Sequence, residues 1–279
     1  MERNKIIFSG VSHTFGLGLE WELDPELNSE EYLQKGINLP IPRLPHYQKY
    51  WRENRWPSLV CDELGYIQFN VHDIENQIQI GGDSVNTLWM MVKNEDKIQN
   101  LLASTKYVIL QVDGHVRWYD EELHGGREGH KYPNTIVEMI NLINDPSSNQ
   151  TIVGKTLQWI NEIDPDAYTI ELNNKILYLI KKYPEIKFLM LLWHTNTDAS
   201  IANSKQLKDN IIKIQENGKT YKSVSSFLEI NKLQTYHKAK GFNGNYKYNL
   251  IEEHASIEGH KRVANMVINH IKKLKNEEK

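Results

Sequence analysis

Three apolar runs punctuate the chain: Ile6 to Ser9, Lys106 to Val112 and Lys187 to Trp193. Each is strand-sized and nearly continuous, the pattern of a strand covered on both faces. Tyr66 to Val71 is a weaker strand, with Ile67, Phe69 and Val71 alternating. Ser223 to Ile230 is a further candidate, where the apolar spacing does not separate helix from strand. Between these runs the period changes to helical. Val85, Leu88, Trp89, Val92 and Ile98 share a face over Asp83 to Leu102. Helices are also predicted over Pro57 to Leu64, Thr135 to Ile143, Thr151 to Ile163 and Thr169 to Lys182. Pro57 suits a first helical turn. The last helix, Ser256 to Lys275, carries Val263, Met266, Val267, Ile271 and Leu274 on one stripe, with lysines opposite.

Strands alternating with helices imply βαβ units and a mostly parallel sheet, hence an α/β fold. In such sheets the ligand crevice lies beyond the carboxyl ends of the strands. Ser12 follows the first strand and His115 the third, so both belong to that rim. No linker or internal repeat divides the chain. One domain over residues 1–279 is expected, with insertions at about 20–55 and 145–185 and a charged, frayed tail at 272–279. The first insertion is rich in Pro and aromatic residues, including Pro40, Pro42, Pro45, Tyr47, Tyr50 and Trp51.

The chain's 279 residues suffice for a substantial core. A net charge of −3 gives no pull toward nucleic acid or anionic membranes. The single cysteine, Cys61, excludes an intramolecular disulfide and reads as a buried structural thiol. No secretory h-region follows Met1, and no run approaches a membrane span. A soluble, cytoplasmic protein is expected.

Two segments carry the chemistry. Ile6-Ile7-Phe8-Ser9-Gly10-Val11-Ser12-His13-Thr14-Phe15-Gly16 places a serine in a Gly-rich turn after a strand. His254-Ala255-Ser256-Ile257-Glu258-Gly259-His260 places a histidine on a loop just before the last helix. A serine hydroxyl becomes a nucleophile when a base takes its proton, and histidine is the side chain suited to both take and return it. Gly154-Lys155-Thr156 echoes a phosphate loop but lacks the preceding strand and first glycine. His124 and His130 lack a compact metal-ligand spacing, and no metal is expected. His194 and Asp198 follow the Lys187 to Trp193 run and face the same rim.

Both segments resemble the SGNH/GDSL hydrolase family. Its first block reads Gly-Asp-Ser-x-Thr-x-Gly, matched by Gly10, Ser12, Thr14 and Gly16, with Val11 replacing the Asp. Its last block is matched by His254, Gly259 and His260. The resemblance implies a flavodoxin-like three-layer α/β/α sandwich and cofactor-free hydrolysis of carboxylic esters, often acetyl or acyl groups on carbohydrates or lipids. It makes Ser12 the nucleophile and His254 the general base, with His260 a residue of the following helix. The family's acid, three residues before the histidine, is Ile251 here, which leaves Glu252, ahead of Glu253, for that role. The oxyanion donors would be the N–H groups of Ser12 and Gly82, with Gly81 as the other possibility in Gly81-Gly82-Asp83-Ser84. His115 takes the place of the family's Asn after the third strand. An acyltransferase with the same serine is one alternative. Another is a non-catalytic binding module, with Tyr47, Tyr50, Trp51 and Trp56 as a ligand platform.

Overall fold

The computed structural model describes residues 3–10, 14, 19–23, 45–71, 85, 88–89, 92, 96–112, 143–144, 146, 148–162, 165–193, 204–240 and 247–277. The elements run β1 (Lys5–Ser9), α1 (Leu19–Leu23), α2 (Pro45–Asn54), α3 (Trp56–Leu64), β2 (Ile67–Asn70), α4 (Asp96–Ala103) and β3 (Thr105–Val112). Then follow α5 (Gln150–Glu162), α6 (Pro165–Lys182), β4 (Lys187–Leu192), the hairpin β5 (Gln215–Glu216) and β6 (Lys219–Thr220), and α7 (Val224–Ile230). A second hairpin, β7 (Gln234–Lys240) and β8 (Lys247–Ala255), leads into α8 (Ile257–Glu277).

β1 to β4 form a four-stranded, all-parallel sheet in the order β2-β1-β3-β4, so the chain is α/β. The registers pair Phe8 with Asn70, Ser9 with Leu110 and Val112 with Leu192. Beyond β4, Ile212 N donates to Met190 O at 2.8 Å and Ile211 bridges Met190 in parallel, so this segment extends the sheet at that edge.

Successive strand residues point to opposite faces, and the core divides accordingly. Ile6, Phe8, Tyr107, Ile109, Leu189 and Leu191 share one buried cluster with side chains of α3, α7 and α8. Ile7, Val108, Leu110, Phe188, Met190 and Leu192 share another with Val85, Leu88 and Val92 and with Leu172, Ile176 and Leu179 of α6. The apolar stripe read from Val85 to Val92 is therefore a core stripe. Cys61 lies in the first cluster, and burial pushes its thiol up to about 12.

Several expectations change. Ser223 to Ile230 is a helix: the Ser223 hydroxyl accepts Ser226 N at 3.2 Å, capping α7, whose Val224, Phe227 and Leu228 are buried. Trp51 and Trp56 are buried at 1% and 0% exposure. Their indoles are core, so they form no ligand platform; Tyr47's side chain lies outside the described residues. The segment from Lys272 to Glu277 is not frayed but completes α8. Lys272 Nζ pairs with Glu63 at 2.7 Å, and Lys275 lies 4.6 Å from the Tyr66 ring. The helix predicted over Thr135 to Ile143 lies outside the described residues apart from Ile143.

Candidate active site

The strand order reverses direction at β1: the chain moves to β2 on one side, then to β3 on the other. A crevice opens at such a switch point, beyond the carboxyl ends of β1 and β3. Three buried polar side chains stand at that end. Ser9 closes β1, Asn70 closes β2 and Gln111 stands next to last in β3, all at most 1% exposed. The buried Thr14 hydroxyl donates to Gln111 Oε1, tying the chain beyond β1 to the end of β3. A Cβ on Gly10 would overlap the Thr14 side chain and come within 2.9 Å of Gln111 Oε1. Gly10 is thus held tightly against Thr14 and the sheet end, and only glycine fits there.

α3 runs through Gly65 and Tyr66 directly into β2, so its first turn sits at the carboxyl edge. Trp56, its first residue, packs edge-on against Phe8 with ring centroids 5.2 Å apart. The N–H of Trp56 is one of the orphan donors of a helix start. Arg55 at the N-cap supplies no side-chain acceptor. The acceptor is His260 Nδ1, at 3.2 Å, from the first turn of α8. His260 is wholly buried, and burial, with help from His254 and Arg55, lowers its pKa to about 3. It is a neutral structural imidazole and not a working base. Its bond fixes the start of α8 at the same edge as the end of β1.

His254 lies just ahead of that start. It is not on a loop, as expected, but in β8, next to last. The β7–β8 register pairs Gln234 with Ala255 and Tyr236 with Ile251. Between those pairs, Thr235 alone on β7 opposes Glu252, Glu253 and His254 on β8. This is a bulge, a device that re-aims side chains at sheet rims. The buried Thr235 hydroxyl secures it by donating to the His254 carbonyl at 3.3 Å. The His254 side chain is partly buried. Glu252 is in the bulge, with its side chain outside the described residues. Ser12, Gly81, Gly82, His115, His194 and Asp198 also lie outside them, as do His124 and His130.

A carboxylate that the sequence did not single out enters here. Glu22 of α1 accepts Ile257 N on both oxygens, at 3.1 and 3.0 Å. Ser256 Oγ accepts Gly259 N at 3.0 Å, so a remote and a local acceptor divide the free amides of α8. Partial burial raises the pKa of Glu22, against the Ile257 amide and Lys261, and Glu22 helps raise that of Tyr50. Nothing local in Leu19-Glu20-Trp21-Glu22-Leu23 signals a contact so far along the chain. Gln111 did carry a signal, as an amide within the apolar stretch Tyr107 to Val112.

Among the described residues, no group of His, Cys, Asp and Glu could hold a metal ion, and no helix is long and apolar enough to cross a membrane. No protein-family model, curated protein or solved structure matches this chain.

Proposed function

We propose that this chain is a serine ester hydrolase of the SGNH/GDSL type, on a flavodoxin-like three-layer α/β/α sandwich formed as one domain by residues 1–279. One observation carries most of the weight: the Phe8–Trp56–His260 chain of contacts joins the end of β1 to the start of α8. Gly10 and Thr14, which flank Ser12 in the sequence, lie on one side of that junction, and His254 precedes it on the other. The two buried clusters, one per sheet face, support the layered architecture.

In this reading Ser12 Oγ attacks the ester carbonyl while His254 takes the hydroxyl proton. The tetrahedral oxyanion is held by the N–H groups of Ser12 and Gly82 and by a His115 ring N–H. Its collapse breaks the ester C–O bond, and His254 returns the proton to the departing alcohol. Water, deprotonated by His254, then cleaves the acyl-serine and restores Ser12. Glu252 holds the imidazole tautomer from the far nitrogen. The substrate is an acetyl or acyl ester of a carbohydrate or lipid, and no cofactor takes part. With Trp51 and Trp56 in the core, the binding-module alternative loses half of its aromatic platform.

Steady-state hydrolysis of p-nitrophenyl acetate tests the proposal. Ser12→Ala and His254→Ala should each lower kcat by roughly 10³-fold or more, and the double variant by little beyond either, because the two act as a unit. Activity of Ser12→Ala within tenfold of the parent would overturn it. A parent that transfers acetyl faster to an added alcohol than to water is an acyltransferase.

A further inference from the structure

We infer that Glu22 is a positioning residue that clamps the segment following Ser12 to the segment following His254. For its catalytic half, the inference rests on the hydrolase reading above. Glu22 belongs to α1, the first described element beyond Thr14, and α1 is anchored by the fully buried Leu19. Its carboxylate is the acceptor for Ile257 N, the first amide of α8. Ile257 follows His254 closely, and Ser256 N is itself bonded to Leu233 O at 2.8 Å, so the stretch between them has little freedom.

A helix start needs acceptors, but it does not need remote ones. Ser256 already serves Gly259 N from within the same segment, and Glu258 supplies local negative charge in the first turn. The negative charge of Glu22 matches the positive end of the long α8 and faces Lys261 in its second turn. The particular consequence of using Glu22 is mechanical. The chain that follows Thr14 and the chain that leaves the His254 bulge meet at one charge-assisted bond. With Trp56 N on His260 Nδ1, this makes two independent ties between the N-terminal region and the start of α8. A nucleophile and base borne at opposite ends of a chain need such ties, because small misplacements of reacting groups cost large factors in rate.

The test uses the full chain with Glu22→Ala and Glu22→Gln, the latter keeping an acceptor oxygen without the charge. Amide hydrogen exchange reads the clamp. Glu22→Ala should speed exchange at both 19–23 and 255–260 while leaving β3 and β4 as in the parent. The large apolar stripe of α8 keeps the variant folded. Fluorophosphonate labelling of Ser12 reads the catalytic consequence. The labelling rate should fall by about tenfold or more in Glu22→Ala, with Glu22→Gln recovering most of it. A merely stabilising contact would not give that recovery at unchanged global stability. Unchanged exchange at 255–260 in Glu22→Ala overturns the clamp, and loosened exchange with an unchanged labelling rate overturns its positioning role. If the parent itself does not label at Ser12, the hydrolase reading falls. The clamp is then judged by exchange alone, supported if both segments loosen and overturned if either stays as in the parent.

Discussion

At Gly10 the backbone passes too close to Thr14 and Gln111 for any side chain. Gly10→Ala must push Thr14 off Gln111 or bend the end of β1. We expect a loss of about 1–3 kcal/mol, the usual range for overpacking a tight site. Urea denaturation should show a lower midpoint at an unchanged m-value; a midpoint equal to the parent's would mean that Gly10 is packed less tightly against Thr14 and Gln111. Gln111 is the other half of this junction, and a polar residue inside β3 was its visible trace in the sequence. Glu22 left no such trace, because its partner lies at the other end of the chain and local pattern cannot report so distant a pairing.

At the level of elements, the junction of α3 with α8 turns on His260, and it gives the protein a defined acid sensitivity. In the unfolded chain this imidazole takes a proton near its ordinary 6.5; in the folded protein it does so only near 3. Between those values the unfolded state binds the extra proton, so stability is whole above about pH 6.5 and is lost as pH falls toward 3. One such proton contributes up to ~1.4 kcal/mol per pH unit. His260→Gln keeps an acceptor for Trp56 N but does not titrate. The difference in unfolding free energy between parent and variant should therefore shift in the variant's favour from pH 7 to pH 4. A constant difference across that range would show that His260 takes up its proton in the fold as readily as in the unfolded chain. The sequence identified His260 as a first-turn helix residue but could not reveal its partner. It left Ser223 to Ile230 open between helix and strand, where the Ser223 cap is the deciding signal, and it passed over Asn217-Gly218. Both residues take positive φ, at 48° and 77°, in the turn between β5 and β6, the geometry that an Asn-Gly pair favours in a tight hairpin.

For the whole molecule, the parallel sheet was legible because β1, β3 and β4 are written as nearly continuous apolar runs, and β2 falls on the weaker, alternating run Tyr66 to Val71. The order β2-β1-β3-β4 was not legible, since period and composition say nothing of which strands are neighbours. That order matters most, because it sets the switch point beside β1, at the end that leads into Gly10. His254 shows the same division. It was singled out by its spacing to Gly259 and His260, but its place in a strand bulge depends on the pairing of β7 with β8. The central claim is that this rim activates Ser12, and active-site labelling tests it most directly. The protein is treated with a fluorophosphonate, digested and examined by mass spectrometry. The account predicts one adduct per chain, on Ser12, that disappears in His254→Ala while the fold is retained. No adduct on the parent, or an adduct that persists at the same rate without His254, would contradict it.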